Sequence, residues 1–419
     1  MRKEDLKFII NNDKIFSIQI YVPVGSIHES KGQYGISHFL EHMKFKKSNK
    51  YNKNNFLQQF DKTTVMNAYT TKDHTSYYLR TNNNKWKEVI ELMYELVFNT
   101  SFNTNDIDIE RKVILEEKLS RDGNLETAND IDIHSETSIL DDNNPYSRPV
   151  IGDMKDIKKI TNKELKKYNK QYFNDYLVVI ICSNGLKQKI NNYCLKKFPK
   201  PLNKTIKKLE NTQSFHYSLT IRNMPIPQNN IFITFKSFSE NDNNKYYIDF
   251  IESFFANSMN SLLGVKLRKK KGYVYSVQTF NESYKDFGCF RILISSNKKN
   301  DINDIVNIVF SEINILKDGG LNNDKFKKFK SKFLNDMTYY FKNNDTLITK
   351  YGRYLYYDKK FTIKKYEKII KDLTNDKLTE IINLLFDYEQ IGFVSYGNFK
   401  DINKVEKSVG RLIKQNRKM

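Results

Sequence analysis

The chain has 419 residues, long enough for two or three domains that each bury a core. Hydrophobic residues make up 39% and aromatic residues 14% of it, which excludes an intrinsically disordered chain. A net charge of +21 could attract nucleic acid, a membrane surface or acidic peptides, but the basic residues are spread along the whole length. This spread favours a compositional origin, and we expect no nucleic-acid and no membrane partner.

Targeting and redox signals are sparse. The N-terminal residues 1–13 begin with basic residues but contain no apolar core of signal-peptide length. The longest apolar run, Leu177 to Cys182, is too short for a bilayer and predicts a buried strand. The three cysteines show no CxxC pairing, which is typical of a reducing compartment. We expect a cytoplasmic protein, or an organelle-matrix protein from which a transit peptide has been removed.

Strand-like and helical patterns alternate through the first half of the chain. Segments rich in β-branched and aromatic residues predict strands, and apolar residues three or four apart predict helices. By these criteria strands lie at 18–22, within 67–79 as a pair, and at 177–182, and helices lie at 37–45, 86–98, 105–119 and 162–172.

A polar stretch with two prolines, residues 199–214, predicts a linker. After it a similar order of elements restarts, which indicates a duplication into domains 1–198 and 215–419. In the second half we predict strands at 230–235, 273–280, 290–294 and 391–396, helices at 245–267, 304–317, 323–340 and 377–385, and a basic terminal helix.

One pentapeptide carries the clearest chemical signal, His38-Phe39-Leu40-Glu41-His42. On a helix, His38 and His42 lie one turn apart on the same face and can bind one metal ion, with Glu41 beside them. This is the HxxEH order known from zinc peptidases, in which a carboxylate beside the metal acts as general base. A solvated surface cluster is the alternative, but histidine is scarce here, with six in the chain.

A second helix offers a third metal ligand. Glu110 and Glu117 are seven residues apart and therefore share a face, with Val113 and Ile114 expected to anchor that face to a core. Glu117 could ligate the metal while Glu110 hydrogen-bonds a ligand imidazole. We expect Glu116 to be solvated.

Several segments match one known family in the same order along nearly the whole chain. On these residues the chain resembles the pitrilysin/insulinase family of inverted-motif zinc metallopeptidases, most closely the small two-domain members similar to mitochondrial processing peptidase. The matching residues are Gly25-Ser26, Glu29, the run from Gly35 to Phe45, Asn67-Ala68-Tyr69-Thr70, His74-Thr75, Glu110-Arg111, Glu117, Pro145-Tyr146, Gly152, Leu267-Arg268, Gly272 and Tyr275.

This resemblance implies roles for residues of the first half. His38, His42 and Glu117 would hold one Zn²⁺ per chain, Glu41 would be the general base, and Glu110 would orient a ligand. It also implies an α+β fold of two duplicated domains, each a mostly antiparallel sheet flanked by helices.

The resemblance further implies a substrate strand and a contribution from the second half. An edge strand would pair with the substrate backbone, and an Arg and a Tyr seven residues apart would approach the scissile carbonyl. By position these residues are Asn67, Ala68, Tyr69 and Thr70 in the strand, and Arg268 and Tyr275 in the second half.

The chain also departs from the family pattern. Lys47-Ser48 replaces the family's usual residues after the zinc helix, Leu262 replaces the usual Arg before the Arg-bearing helix, and the N-terminal hairpin is expected to be short. These differences suggest a divergent branch with a substrate of its own.

The leading hypothesis is a zinc endopeptidase that hydrolyses peptides or unfolded segments in a closed chamber. The resemblance implies a dimer, with a homodimer preferred over a heterodimer because both the zinc motif and the Arg/Tyr pair are present. The alternatives are a non-catalytic family subunit and a basic nucleic-acid binder, for which no recognition motif is found.

Overall fold

A computed structural model describes residues 1–11, 14–50, 65–123, 136–202, 215–296, 302–358 and 360–418. The chain forms two compact units that are not continuous in sequence. The first unit comprises residues 1–121, 148–212 and 339–361, and the second comprises 122–147, 213–338 and 362–419.

The first unit is built on a five-stranded sheet. Its strands are β1 (Leu6–Ile10), β2 (Ile15–Val22), β3 (Val65–Thr70), β4 (Thr75–Asn82) and β5 (Leu177–Cys182), in the spatial order β1-β5-β2-β4-β3. Only β1 and β5 are parallel, and the other neighbours are antiparallel. The short N-terminal hairpin expected from the sequence is wrong, because β1 pairs with β5 and not with β2.

Helices cover both faces of this sheet. Among the described residues they are Ile36–Lys44 (the motif helix), Trp86–Phe98, Thr104–Gly123 (the carboxylate helix), Met154–Ile157, Asn162–Asn169, Asn184–Lys197 and Asn344–Tyr357 (the exchanged helix). One face of β2, including Ile18 and Ile20, is buried in the main apolar core with Phe39 and Met43 of the motif helix. The exchanged helix packs on β2 and β5 and comes from the C-terminal half of the chain.

The second unit repeats this topology. Its strands are β6 (Ser218–Asn223), β7 (Asn229–Ser237), β8 (Ser276–Ser283), β9 (Gly288–Ser296) and β10 (Gly392–Gly397), in the order β6-β10-β7-β9-β8. Again only one pair, β6 with β10, is parallel. Its helices are Lys245–Phe255, Ile302–Gly319, Asn323–Tyr340, Ile363–Asp372, Asn375–Leu385 and Ile402–Arg417. The predicted duplication and the α+β class are confirmed.

The boundaries of the compact units differ from the predicted domain boundaries, which divide the chain at a single linker. The sequence predicts domains 1–198 and 215–419, whereas the units exchange residues 122–147 and 339–361. Most of the predicted linker, residues 203–214, lies outside the described residues. The sequence patterns did not predict the exchange, because it depends on contacts between segments that are far apart in the chain.

The predicted helix 245–267 is wrong in its second half. The helix ends at Phe255, and a π-helical segment, Gly264–Lys270, carries Arg268. Between them Asn257 accepts a hydrogen bond from the Thr279 backbone and Ser261 donates to the Ser258 carbonyl. Asn257 thus joins this segment to β8, and the local bond of Ser261 is of the kind that competes with helical backbone hydrogen bonds.

In the described part of the chain, no helix is both long and apolar enough to cross a membrane.

Candidate metal centre

The motif helix is fixed at its N-terminus by a buried carboxylate. Glu29 accepts hydrogen bonds from the backbone N–H groups of Gly35, at 2.8 Å, and Ser37, at 2.9 Å. These groups have no partner within the helix, so a carboxylate there satisfies them and complements the helix dipole. Burial raises the pKa of Glu29 to about 7.

Two glycines allow the chain to approach the start of this helix closely. Gly35 has a φ of +99° and Gly152 a φ of +82°, a region that favours glycine. A Cβ atom on Gly152 would lie 2.2 Å from the carbonyl oxygen of Tyr34. The match of Gly35 and Gly152 to the family thus has a packing reason.

Three predicted metal ligands converge in the first unit. The Nε2 atoms of His38 and His42 lie 3.8 and 3.6 Å from Oε2 of Glu117. One donor atom from each residue lies within 4.8 Å of the others, and no other group of three or more such side chains occurs among the described residues. The histidines come from the motif helix and Glu117 from the carboxylate helix.

The donor set fits zinc. A tetrahedral ion bound at about 2.0–2.2 Å from each donor holds its donors roughly 3.4 Å apart. The observed separations of 3.6 and 3.8 Å require only small side-chain adjustments. Two imidazoles and one carboxylate are also the ligands of catalytic zinc sites, which keep a fourth position for water.

Glu110 is placed to orient His42. Its Oε1 lies 2.8 Å from Nδ1 of His42, and its other oxygen forms an ion pair with Lys46. Burial would raise the pKa of Glu110, but the hydrogen bond with His42 and the charge of Lys46 hold it below its ordinary value. Lys46 was not predicted, although it follows the motif helix by only two residues.

The same contact acts on the imidazole. Burial lowers the pKa of His42, but the hydrogen bond and negative charge of Glu110 outweigh it and raise the pKa above its ordinary value. Protons therefore compete with a metal for Nε2, and metal affinity falls as the pH drops.

The predicted base, Glu41, has a hydrogen-bond donor of its own. Thr70 donates from Oγ1 to Oε2 of Glu41 at 2.6 Å. Burial raises the pKa of Glu41, and the hydrogen bond from Thr70 opposes that rise. This contact joins residues 29 positions apart and was not predictable from a local pattern.

The carboxylate helix is anchored differently from the prediction. Ile114 is fully buried, but Val113 is 48% exposed, so the expectation that both anchor the helix is wrong for Val113. The inward positions follow Ile107, Glu110 and Ile114, three or four residues apart. Glu116 is exposed, as expected.

The predicted substrate strand, Asn67 to Thr70, lies within β3. Among the described strands β3 pairs only with β4, which makes it an edge of the sheet. An edge strand presents unpaired backbone groups that can bind an extended peptide. The substrate role itself stays a prediction.

Arg268 and Tyr275 lie together in the second unit. The Arg268 guanidinium lies 5.8 Å from the centre of the Tyr275 ring, and Tyr275 is 64% exposed. Arg268 also borders a cavity of about 320 Å³ with Met259 and Phe280. Their predicted role at the scissile carbonyl stays a prediction.

Two family models match the chain one after the other. Residues 8–152 match the model described as insulinase (peptidase family M16), and residues 159–333 match the one described as peptidase M16 inactive domain. The three clustered metal-binding side chains all fall in the first match, and in the second unit no comparable cluster occurs among the described residues.

Individual relatives agree with these matches. The chain is 25% identical over 286 residues to "uncharacterized zinc protease YmxG" of Bacillus subtilis, covering 67% of this chain and 69% of that protein. It is 23% identical to "uncharacterized zinc protease SCO5738" of Streptomyces coelicolor, covering 73% and 68%. The crystal structure of a protease from Helicobacter pylori superposes with a TM-score of 0.83 at 20% identity, covering 93% and 96% of the two chains.

Proposed function

The chain belongs to the insulinase family, peptidase family M16, and we propose that it is a zinc-dependent endopeptidase. The observation that carries the proposal is the convergence of His38, His42 and Glu117, with Glu41 on the same helix as the histidines. The relatives named zinc proteases support zinc as the metal. One such cluster among the described residues supports one zinc ion per chain.

The chain's own residues account for the proton transfers. Zinc bound by the three ligands would acidify a water molecule and polarise the substrate carbonyl. Glu41, whose Oε2 accepts from Thr70, takes a proton from the attacking water and passes it to the leaving amine. Glu110 keeps the Nδ1 atom of His42 engaged, so that Nε2 faces Glu117.

We propose peptides or unfolded segments as the substrate class. The edge strand β3 can add an extended peptide by main-chain hydrogen bonds, a mode that tolerates many sequences. Thr70 lies at the end of this strand and also contacts Glu41, so the strand leads towards the base.

We also propose that the second unit contributes to the reaction and that the protein acts as a dimer, preferably a homodimer. Tyr275 has a hydroxyl that could donate to a developing oxyanion, and both it and Arg268 are exposed. Tyr275→Phe would then lower kcat by about 100- to 1,000-fold, the usual effect of losing such a donor, without changing zinc content.

The proposal is tested by zinc analysis and cleavage of a quenched fluorescent peptide library. Wild type should bind one zinc per chain and cleave, whereas Glu41→Gln should retain zinc and lose about 100- to 10,000-fold in rate, the range for a lost general base. Glu116→Gln is the matched control, since Glu116 is exposed and adjacent to the ligand Glu117.

Two results would contradict the proposal. A chain that binds no zinc has no metal centre, and cleavage that survives Glu41→Gln does not use this site. A chain that binds zinc but cleaves no peptide would instead be a non-catalytic subunit of the family.

A further inference from the structure

The exchanged helix, Asn344–Tyr357, contacts the turn that joins β3 and β4. This turn, residues 71–74, directly follows Thr70, the residue that hydrogen-bonds the Glu41 carboxylate. We propose that Arg353 and Tyr357 are positioning residues, which hold the turn through Asp73 and thereby place Thr70 against Glu41. The inference rests on the proposed peptidase function, in which Glu41 is the base.

The exchanged helix approaches the sheet closely at Gly352. A Cβ atom on Gly352 would lie only 1.8 Å from Oε1 of Gln19 on β2, so the glycine permits this approach. One turn further along, the ring of Tyr356 stacks on Tyr21 at 4.8 Å. Tyr21 in turn stacks on His74 at 4.5 Å. The helix thus reaches the turn through one continuous aromatic stack.

Direct contacts from the helix converge on Asp73. Tyr357 donates its hydroxyl to Oδ2 of Asp73 at 3.1 Å, and the Arg353 guanidinium lies 3.7 Å from the same oxygen. The other oxygen, Oδ1, lies 2.7 Å from Nδ1 of His74 and accepts from the Thr71 hydroxyl at 3.1 Å. Asp73 is therefore bound by the helix on one side and by its own turn on the other.

The charge on Asp73 requires these partners. The residue is only 4% exposed. Burial alone would raise the pKa of its carboxyl, but Arg353 and His74 hold it below its ordinary value, so the group is ionised. A buried carboxylate that loses a partner is strongly destabilised, and the turn that carries it would shift towards water.

The turn is internally rigid and backed by a second loop. Thr71 donates its N–H to the carbonyl of His74 at 2.8 Å, and its hydroxyl accepts from the His74 N–H at 3.1 Å. The N–H groups of Ser26 and Ile27 bind the carbonyls of Thr71 and Lys72. Because its own hydrogen bonds join the ends of the turn, a displacement at Asp73 that stretches the bonds from Ser26 and Ile27 would carry the adjacent Thr70 with it.

The consequence for chemistry follows from the position of Thr70. Its hydroxyl fixes one oxygen of the Glu41 carboxylate, which leaves the other to face the attacking water. A small displacement of a general base reduces the rate while substrate binding is largely retained. Loss of the contacts to Asp73 should therefore lower kcat more than it raises KM.

The chain offers a matched pair of tyrosines for the test. Tyr357 donates to Asp73, whereas its neighbour Tyr356 donates to Asp175 at 2.9 Å, away from the turn. We expect Tyr357→Phe and Arg353→Met to lower kcat by about 10- to 100-fold, the scale set by ångström displacements, with KM and zinc content close to wild type. Tyr356→Phe should leave kcat within about twofold, and Arg353→Lys should recover part of the loss because it keeps the charge.

A double-mutant cycle with Thr70→Val tests the route through Thr70. If the helix acts through this hydroxyl, Tyr357→Phe has little further effect on kcat in the Thr70→Val background. Additive losses would overturn the inference, as would equal kcat values for Tyr356→Phe and Tyr357→Phe.

Hydrogen–deuterium exchange provides a readout that does not depend on activity. Tyr357→Phe should speed exchange of the Thr71 and His74 amides, and Tyr356→Phe should not. A wild type that cleaves no peptide would refute the proposed function, yet this comparison would still decide whether the helix holds the turn. Equal exchange in the two variants would overturn the inference.

Discussion

At the scale of single side chains, Glu110 tunes the metal ligand His42 without facing the metal. We expect Glu110→Gln to weaken zinc binding by about 10- to 100-fold, the usual effect of removing a hydrogen-bond partner of a ligating histidine. The reason is that the carboxylate fixes the imidazole through the 2.8 Å contact with Nδ1 and supplies negative charge. Competition with a fluorescent zinc chelator measures the change.

The control for Glu110 is again Glu116→Gln, which removes one negative charge from the exposed side of the same helix. If both substitutions lower the zinc affinity equally, the loss comes from the net charge of the helix, and the specific role of Glu110 is refuted.

A second residue-scale prediction concerns pH. Burial raises the pKa of Glu41, and the Thr70 hydrogen bond favours its ionised form. Thr70→Val should raise that pKa further. Because a base must be ionised to act, activity should then be lost at a higher pH as the solution is acidified. Profiles of kcat/KM against pH measure the shift, and Thr70→Ser, which keeps a hydroxyl, should follow wild type.

Sequence spacing predicted the candidate site residues that share a helix with one another. His38, Glu41 and His42 follow from a spacing of three and four residues, and Glu110 and Glu117 from a spacing of seven. The contacts between elements were not predictable in this way. Thr70 contacts Glu41, and Tyr357 contacts Asp73, only because the sheet and the helices pack together in the folded unit.

At the scale of elements, patterns with strong periodicity were predicted well. The helix Trp86–Phe98 and the buried strand Leu177–Cys182 have the predicted bounds. The exchanged helix was missed although its buried residues Leu347, Ile348 and Leu355 share one face, because tyrosines and polar residues lie between them in the sequence. Its contacts with β2 also include a tyrosine stack and the close approach of Gly352, neither of which appears in a hydrophobic pattern.

The junction before the motif helix gives an element-scale prediction. Gly152→Ala places a Cβ atom 2.2 Å from the Tyr34 carbonyl oxygen, whereas Gly32, with a similar positive φ, has open space around it. We expect Gly152→Ala to reduce the free energy of unfolding by about 1–3 kcal/mol more than Gly32→Ala, the typical cost of overpacking. Chemical denaturation of the two variants measures the difference, and equal losses would mean that only backbone strain matters.

At the scale of the whole molecule, each compact unit contains a segment from the other half of the sequence. Residues 339–361 belong to the first unit, and residues 136–147 to the second, where the Gly392 backbone approaches Ser138 closely. A duplicated sequence predicts two domains divided at one linker, because each repeat usually folds from its own contiguous residues. Here neither half of the sequence contains all of its own unit.

This exchange predicts that residues 1–202 do not form a stable zinc-binding domain. Without the exchanged helix, the face of β2 that carries Gln19 and Tyr21 is open to water, and Asp73 loses Tyr357 and Arg353. A second fragment joins residues 1–202 by a flexible linker to residues 339–361, and it should regain cooperative thermal unfolding and bind zinc. A third fragment is the same but carries Arg353→Met and Tyr357→Phe, and it should regain less stability. Circular dichroism melts and zinc titration compare the three fragments. A fully stable 1–202 fragment would show that the exchanged helix is dispensable for the fold of the first unit.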